Sequence, residues 1–110
     1  MTTEKGKKEA GWLQINDLKI KRPKEWDKKW RIVIFDISQL KKIQREAFRG
    51  KLKEIGFQPL QKSVWIHPFD CRDEIDLLKD FFGLTEKEVR LIVSPEIGGD
   101  EQLKEIFKLN

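Results

Sequence analysis

The chain has 110 residues, the size of one domain with one real core, and its charged and hydrophobic residues are equally frequent at 38%, so its surface must be densely charged. A single cysteine excludes an internal disulfide and fits a reducing cytoplasm, and with a single histidine it argues against a zinc site built by this chain. No apolar stretch approaches the roughly 18 residues that a membrane span requires, and the net charge of +4 is unevenly spread: residues 41–62 hold 7 basic and 2 acidic side chains, residues 63–110 hold 6 and 11.

Such a split predicts a basic face and an acidic face, and a basic face suits a polyanion such as nucleic acid. Residues 1–29 read as a basic N-terminal extension or linker and residues 30–110 as the folded domain. Lys5, Lys7 and Lys8 make the start of the extension polar, and no secretory signal is expected there. Trp12, Leu13, Ile15, Leu18 and Ile20 provide enough apolar surface for one short helix or strand packed on the domain. Between Lys19 and Lys29, basic residues surround Pro23 and Trp26. Pro23 argues against a helix there. The stretch is either a solvated linker or a basic arm whose aromatic touches nucleic acid.

Trp30 to Ile37 is a run of large β-formers, predicting a strand buried on both faces. Asp36 interrupts it near its end. A carboxylate in that setting is costly unless it caps, pairs or binds a cation. It therefore either caps the following helix or holds a metal where the strand leaves the sheet. Ser38 is a second cap candidate, for a helix from about Leu40 to Ile55. Leu40, Ile43, Ala47, Phe48, Leu52 and Ile55 have the spacing of its buried stripe. Lys41, Arg45, Arg49 and Lys53 recur at every fourth position, a row of cations about 6 Å apart. The row is either a solvated face or a track for phosphates.

Gly56 stands where helices end. Phe57 to Gln61 is a short strand, placed at an edge or bulge by Pro59. Lys62 links it to a strand over Ser63–His67, whose Val64 and Ile66 face one side while Ser63, Trp65 and His67 face the other. His67 is either a polar strand-end residue or the one imidazole available for proton transfer near neutrality. Asp70 opens a helix from about Cys71 to Phe82, with Ile75, Leu78, Phe81 and Phe82 as its buried stripe. Cys71 reads as a small buried residue, with no constellation supporting a nucleophile. A fourth strand covers Val89–Ser94, and Asp100 opens a last short helix with Leu103, Ile106 and Phe107 inward. The order β-α-β-β-α-β predicts an α+β, ferredoxin-like fold: one antiparallel four-stranded sheet with both helices on one face, plus the short C-terminal helix and the N-terminal extension. The open face of such a sheet must be covered, and a second copy of the chain is the expected cover.

Val33-Ile34-Phe35-Asp36-Ile37 resembles the strand-one signature of the CRISPR-associated protein two family, and Gln61-Lys62-Ser63-Val64-Trp65 resembles its strand-three signature, with a basic helix between them. Pro23-Lys24-x-Trp26-Asp27-x-x-Trp30-Arg31 and Leu60-Gln61-Lys62-Ser63-Val64-Trp65-x-His67-Pro68 are similar to the central domain of PaaX-type repressors, which carry the same fold between a winged helix and a C-terminal part. Thr3 to Lys7 is similar to the tail of such a winged helix.

The CRISPR-family resemblance implies a homodimer that binds DNA, or RNA, and bridges integrase subunits during spacer acquisition. It also implies a vestigial endonuclease in which Asp36 of each protomer faces one magnesium ion, a hard cation suited to carboxylates. Only Asp36 matches the catalytic and metal positions of that family. His67-Pro68 and Pro59 depart from its pattern, so the resemblance leaves catalysis open. Lys41, Arg45, Arg49, Lys53 and Lys62 would then contact phosphates without reading bases. The PaaX resemblance implies the alternative: the dimerisation core of a transcriptional regulator, separated from its winged helix. Of the two, the DNA-bridging dimer is the preferred reading of the sequence.

Overall fold

Residues 14–109 are described in the computed structural model, and the expectations for Lys5 to Lys8, Trp12 and Leu13 lie outside them. Four strands form one antiparallel sheet: β1 (Trp30–Phe35), β2 (Gln58–Gln61), β3 (Val64–His67) and β4 (Val89–Ser94), in the order β2-β3-β1-β4. The helices α1 (Lys42–Glu54) and α2 (Arg72–Phe82) separate β1 from β2 and β3 from β4, and α3 (Glu101–Ile106) follows the sheet. This is the expected βαββαβ arrangement.

Alternation along β1 explains why the sheet has two unlike faces. Val33 and Phe35 point to the helices and pack with Phe48 and Leu52 of α1, Ile75 and Leu78 of α2, and Trp65 and Val89 of the neighbouring strands. The T-shaped contact of Phe35 with Phe48, at 5.5 Å between centroids, joins sheet to helix at the centre of this core. Trp65 thus belongs to the core, and Val64 and Ile66 to the opposite face. Ile15 is also fully buried in the core, and its carbonyl accepts a hydrogen bond from Lys51 Nζ at 3.0 Å. The apolar part of the extension therefore packs on the domain, with Leu18 and Ile20 beside it.

The other face carries Ile32, Ile34, Val64, Ile66 and Ile92, as the registers Ile66–Ile32–Ile92 and Val64–Ile34 show. Its Trp30 end is covered: the Trp30 indole packs 4.9 Å from Trp26 and 6.2 Å from Phe107, and its Nε1 donates to Asp100 Oδ2 at 3.0 Å. Toward the other end Ile34 and Ile92 are exposed. The strand is thus buried on one face and half open on the other, which corrects the expectation of burial on both.

The entry into α1 also differs from expectation. A 3-10 turn over Gln39–Lys41 precedes it, and the Ser38 side chain accepts from the Leu40 N–H. Leu40 lies in this turn, 96% exposed, and Ile43, in the first turn of α1, is 84% exposed, so the buried stripe starts at Ala47 and Phe48. A 3-10 turn advances about 120° per residue against 100° in an α-helix, so apolar positions ahead of the join leave the stripe. At the other end, Phe57 N–H donates to Leu52 O and Gly56 N–H to Lys53 O. These two bonds form a Schellman motif around Gly56 at φ 104°. Ile106 is half exposed, so the inner face of α3 reduces to Leu103 and Phe107.

Candidate functional site

The cationic row of α1 is present, but most of it is engaged. Lys41 Nζ donates to Glu88 Oε1 at 2.9 Å and to the Gly83 carbonyl at 3.2 Å. This bond and those from Thr85 hold the Glu88 carboxyl below its usual range. Arg49 NH1 donates to both oxygens of Glu46 at 2.8 Å, while its guanidinium lies 5.6 Å from the Phe35 ring centroid. Arg45 Nε reaches the same carboxylate at 3.4 Å. Both arginine side chains are only 18% exposed, and neither Nε makes a hydrogen bond. Lys53 and Lys62 are exposed and have no ion pair among the described residues. Two carboxylates, Glu88 and Glu46, offset part of the charge of three cations, and cations so engaged release fewer counterions when they meet phosphate, so the row is weaker than its spacing suggests.

Asp36 is exposed and follows β1 on the side of Ile32 and Ile34, its N–H donating to Glu88 O at 2.8 Å. Ser38 supplies the cap, so the capping reading of Asp36 does not hold. Because Asp36 meets solvent, its charge has no burial to offset. Among the described residues no group of three or more His, Cys, Asp or Glu side chains converges as a metal site. One chain therefore contributes one carboxylate there, and a shared magnesium would need a second copy.

The end of the sheet holds a polar cluster that sequence reasoning missed. Arg31, 7% exposed, clamps the Asp27 carboxylate through NH1 at 2.8 Å and NH2 at 2.6 Å. Its NH1 also donates to the carbonyls of Lys29 and Pro68 at 2.9 and 2.8 Å. The Arg31 hydrogen bonds hold the Asp27 carboxyl below its usual range. The i,i+4 spacing of Asp27 and Arg31 was the available signal. Opposite Arg31 in the register stands His67, buried at 5% exposure among the rings of Phe57, Phe69 and Phe107. His67 Nδ1 accepts the Phe69 N–H at 3.1 Å, which leaves the proton of the neutral ring on Nε2. Burial pushes its pKa down to about 4, and the Arg31 cation acts in the same direction. His67 is thus a neutral core residue, out of reach of solvent substrates at pH 7.

Cys71 is buried, and burial pushes its thiol up to about 12, with Glu74 and Asp70 adding to the effect. A thiol so protonated is inert. Asp70 Oδ1 accepts from the Arg72 N–H at 3.3 Å at the start of α2. No helix among the described residues is long and apolar enough to cross a membrane.

What the geometry leaves accessible is a sheet with an apolar outer face, one carboxylate beside it and a helix of internally paired cations. The family model of the PaaX protein central Cas2-like domain matches residues 23–106, which hold the four strands β1 to β4 and the helices α1 to α3. No curated protein and no solved structure matches the chain. By the extent of that match, the chain belongs to the family of PaaX central Cas2-like domains.

Proposed function

We propose that the chain is the homodimerising core of a PaaX-type transcription regulator. The observation that carries this reading is the apolar outer face of the sheet. Ile34 and Ile92, on neighbouring strands, are 38% and 42% exposed, with Ile32 and Val64 half-buried beside them. A contiguous apolar patch on a sheet whose other face is already filled marks a contact surface. A second copy satisfies it with the same residues on both sides, as two-fold interfaces do. Arg90, opposite Ile34, and Asp36 beyond it place one charge of each sign beside this patch.

The ion pairs of α1 favour the regulator core over a DNA-bridging dimer, because three of the four cations in the row already have carboxylate partners. The test is light scattering on Ile34→Asp and Ile92→Asp, with Leu40→Asp as the control on an exposed residue outside the sheet. Dimers of the wild-type chain and of the control, with monomers of both sheet variants, are expected. A sheet variant that remains folded and dimeric would remove this face from the interface.

A further inference from the structure

The geometry points to a binding cleft for single-stranded nucleic acid around Trp26, away from the α1 row and independent of the dimer reading. Two hollows, of about 280 and 310 Å3, meet at Trp26 and Lys28. The first also presents Arg22, Lys24, Phe69 and Lys108, and the second presents Lys104. Segment 22–28 and the end of α3 thus converge from positions far apart in sequence, bringing cations to both sides of one indole.

Unlike Lys41, Arg45 and Arg49, the lysines here are available. Lys24, Lys28 and Lys108 have no ion pair among the described residues; Lys104 reaches Asp100 only at 3.7 Å. Asp100 is further occupied by the Trp30 Nε1–H, which leaves Glu25 as the one carboxylate side chain unengaged among the described residues of the cleft. Arg22 acts as a strut: its guanidinium donates to the carbonyls of Phe107 and Lys108 at 3.0 and 2.9 Å and lies 5.1 Å from the Phe69 ring centroid.

Trp26 is held in place before any ligand arrives. Its Nε1 donates to Lys29 O at 3.0 Å, and its ring meets Trp30 edge-on at 63°. The indole remains partly exposed. A fixed aromatic platform loses little freedom when a base stacks on it. The backbone supplies an independent sign of specialisation. Lys28 and Lys108, at φ 63° and 55°, are the two non-glycine residues with positive φ among the described residues, and both line this cleft. Glycine would hold that conformation without steric cost, so lysine there trades stability for a placed charge.

A single strand fits better than a duplex because an unpaired base can reach the indole, whereas bases in a duplex are already stacked. Cations on both sides of the ring suit a phosphate backbone that passes over it.

The test uses the full chain and a fluorescein-labelled thymidine 12-mer, followed by anisotropy at several salt concentrations, with a 12-base-pair duplex as competitor. The single strand is expected to bind with a log–log salt slope of about −2, as three unpaired lysines require, and the duplex to compete poorly. Lys28→Glu and Lys108→Glu should each weaken binding by at least about 10-fold, and Trp26→Leu by about 5- to 100-fold. Because Trp26 packs on Trp30 and its variant risks unfolding, Lys28→Gly is the decisive companion: it relaxes the backbone, so the melting temperature should hold or rise while binding weakens several-fold. Absence of single-strand binding at low salt would overturn the inference. So would tighter binding of the duplex, or full binding by Lys28→Glu and Lys108→Glu with loss on charge reversal at Lys53 or Lys62. None of these results depends on whether the chain dimerises.

Discussion

His67 should make this protein lose stability in mildly acidic solution, well above the range where carboxylates protonate. In the folded chain its pKa is about 4, against 6.5 for a free imidazole. As pH falls through 6.5 the unfolded chain takes up a proton that the folded chain refuses. The contribution is therefore fully present above 6.5 and drains between 6.5 and 4. A displacement of this size corresponds to about 3 kcal/mol in total, of which about 2 kcal/mol is already lost at pH 5. For a domain of this size that lowers the melting temperature by about 8–15 °C. Asp27, Glu46, Glu86 and Glu88 have lowered values, so their contributions begin to drain only as pH falls through the ordinary carboxylate values of 3.8 and 4.5, which leaves a comparison at pH 5 governed mainly by His67. The assay is urea unfolding at pH 7.5 and 5.0 for the wild type and for His67→Asn, which keeps an acceptor near the Phe69 N–H and does not titrate. The variant should be the less stable at pH 7.5, and the gap should shrink by about 2 kcal/mol at pH 5. Parallel behaviour of the two proteins, or an imidazole that titrates near 6.5 by NMR in the folded chain, would refute the buried neutral ring.

Other substitutions test the neighbouring contacts. Asp27→Ala removes two bonds to Arg31 while the carbonyls of Lys29 and Pro68 remain. With Asp27 half exposed, the loss should be about 1–2 kcal/mol, read as a lower denaturant midpoint at unchanged slope. The same pair should protect the wild type at neutral pH and lose its effect as pH falls below 4, because the folded Asp27 value is lowered. Gly56→Ala forces a side chain into φ 104° with its Cβ 3.4 Å from His67 Nε2, and should cost about 1–2 kcal/mol by thermal unfolding. Cys71 should resist iodoacetamide at pH 8 in the folded chain and react at once in urea; equal rates would show that the thiol is not buried.

The strands and helices were legible because their signals are local. Alternation in Val64–His67, the stripe Phe48, Leu52 and Ile55, and the stop at Gly56 are each set by neighbouring residues. Leu40 was misjudged because a 3-10 turn breaks the period that its spacing assumed. Of the expected row, Arg45, Arg49 and Lys53 lie on α1, and Lys41 lies in the 3-10 turn before it. Glu46, the counter-charge of Arg45 and Arg49, is local, whereas Glu88 lies 47 residues from Lys41 and is brought there by the β1–β4 pairing. The same holds for Arg31 beside His67, which depends on the register of β1 and β3. Trp30 and Asp100, 70 residues apart, join only once α3 folds back on the sheet. The aromatic and basic character of Lys19 to Lys29 was visible in the sequence. The closure of the cleft by Lys104 of α3 and by Lys108 after it was not, because nothing local ties residue 108 to residue 26.

The most direct test of the central claim is sedimentation equilibrium of the wild-type chain over a hundredfold range of concentration at pH 7.5. The apolar sheet face requires a mass of twice 13.1 kDa, falling toward the single-chain value only on dilution. A concentration-independent mass of one chain would show that the face of Ile34 and Ile92 pairs with nothing of its own kind, and would contradict the account.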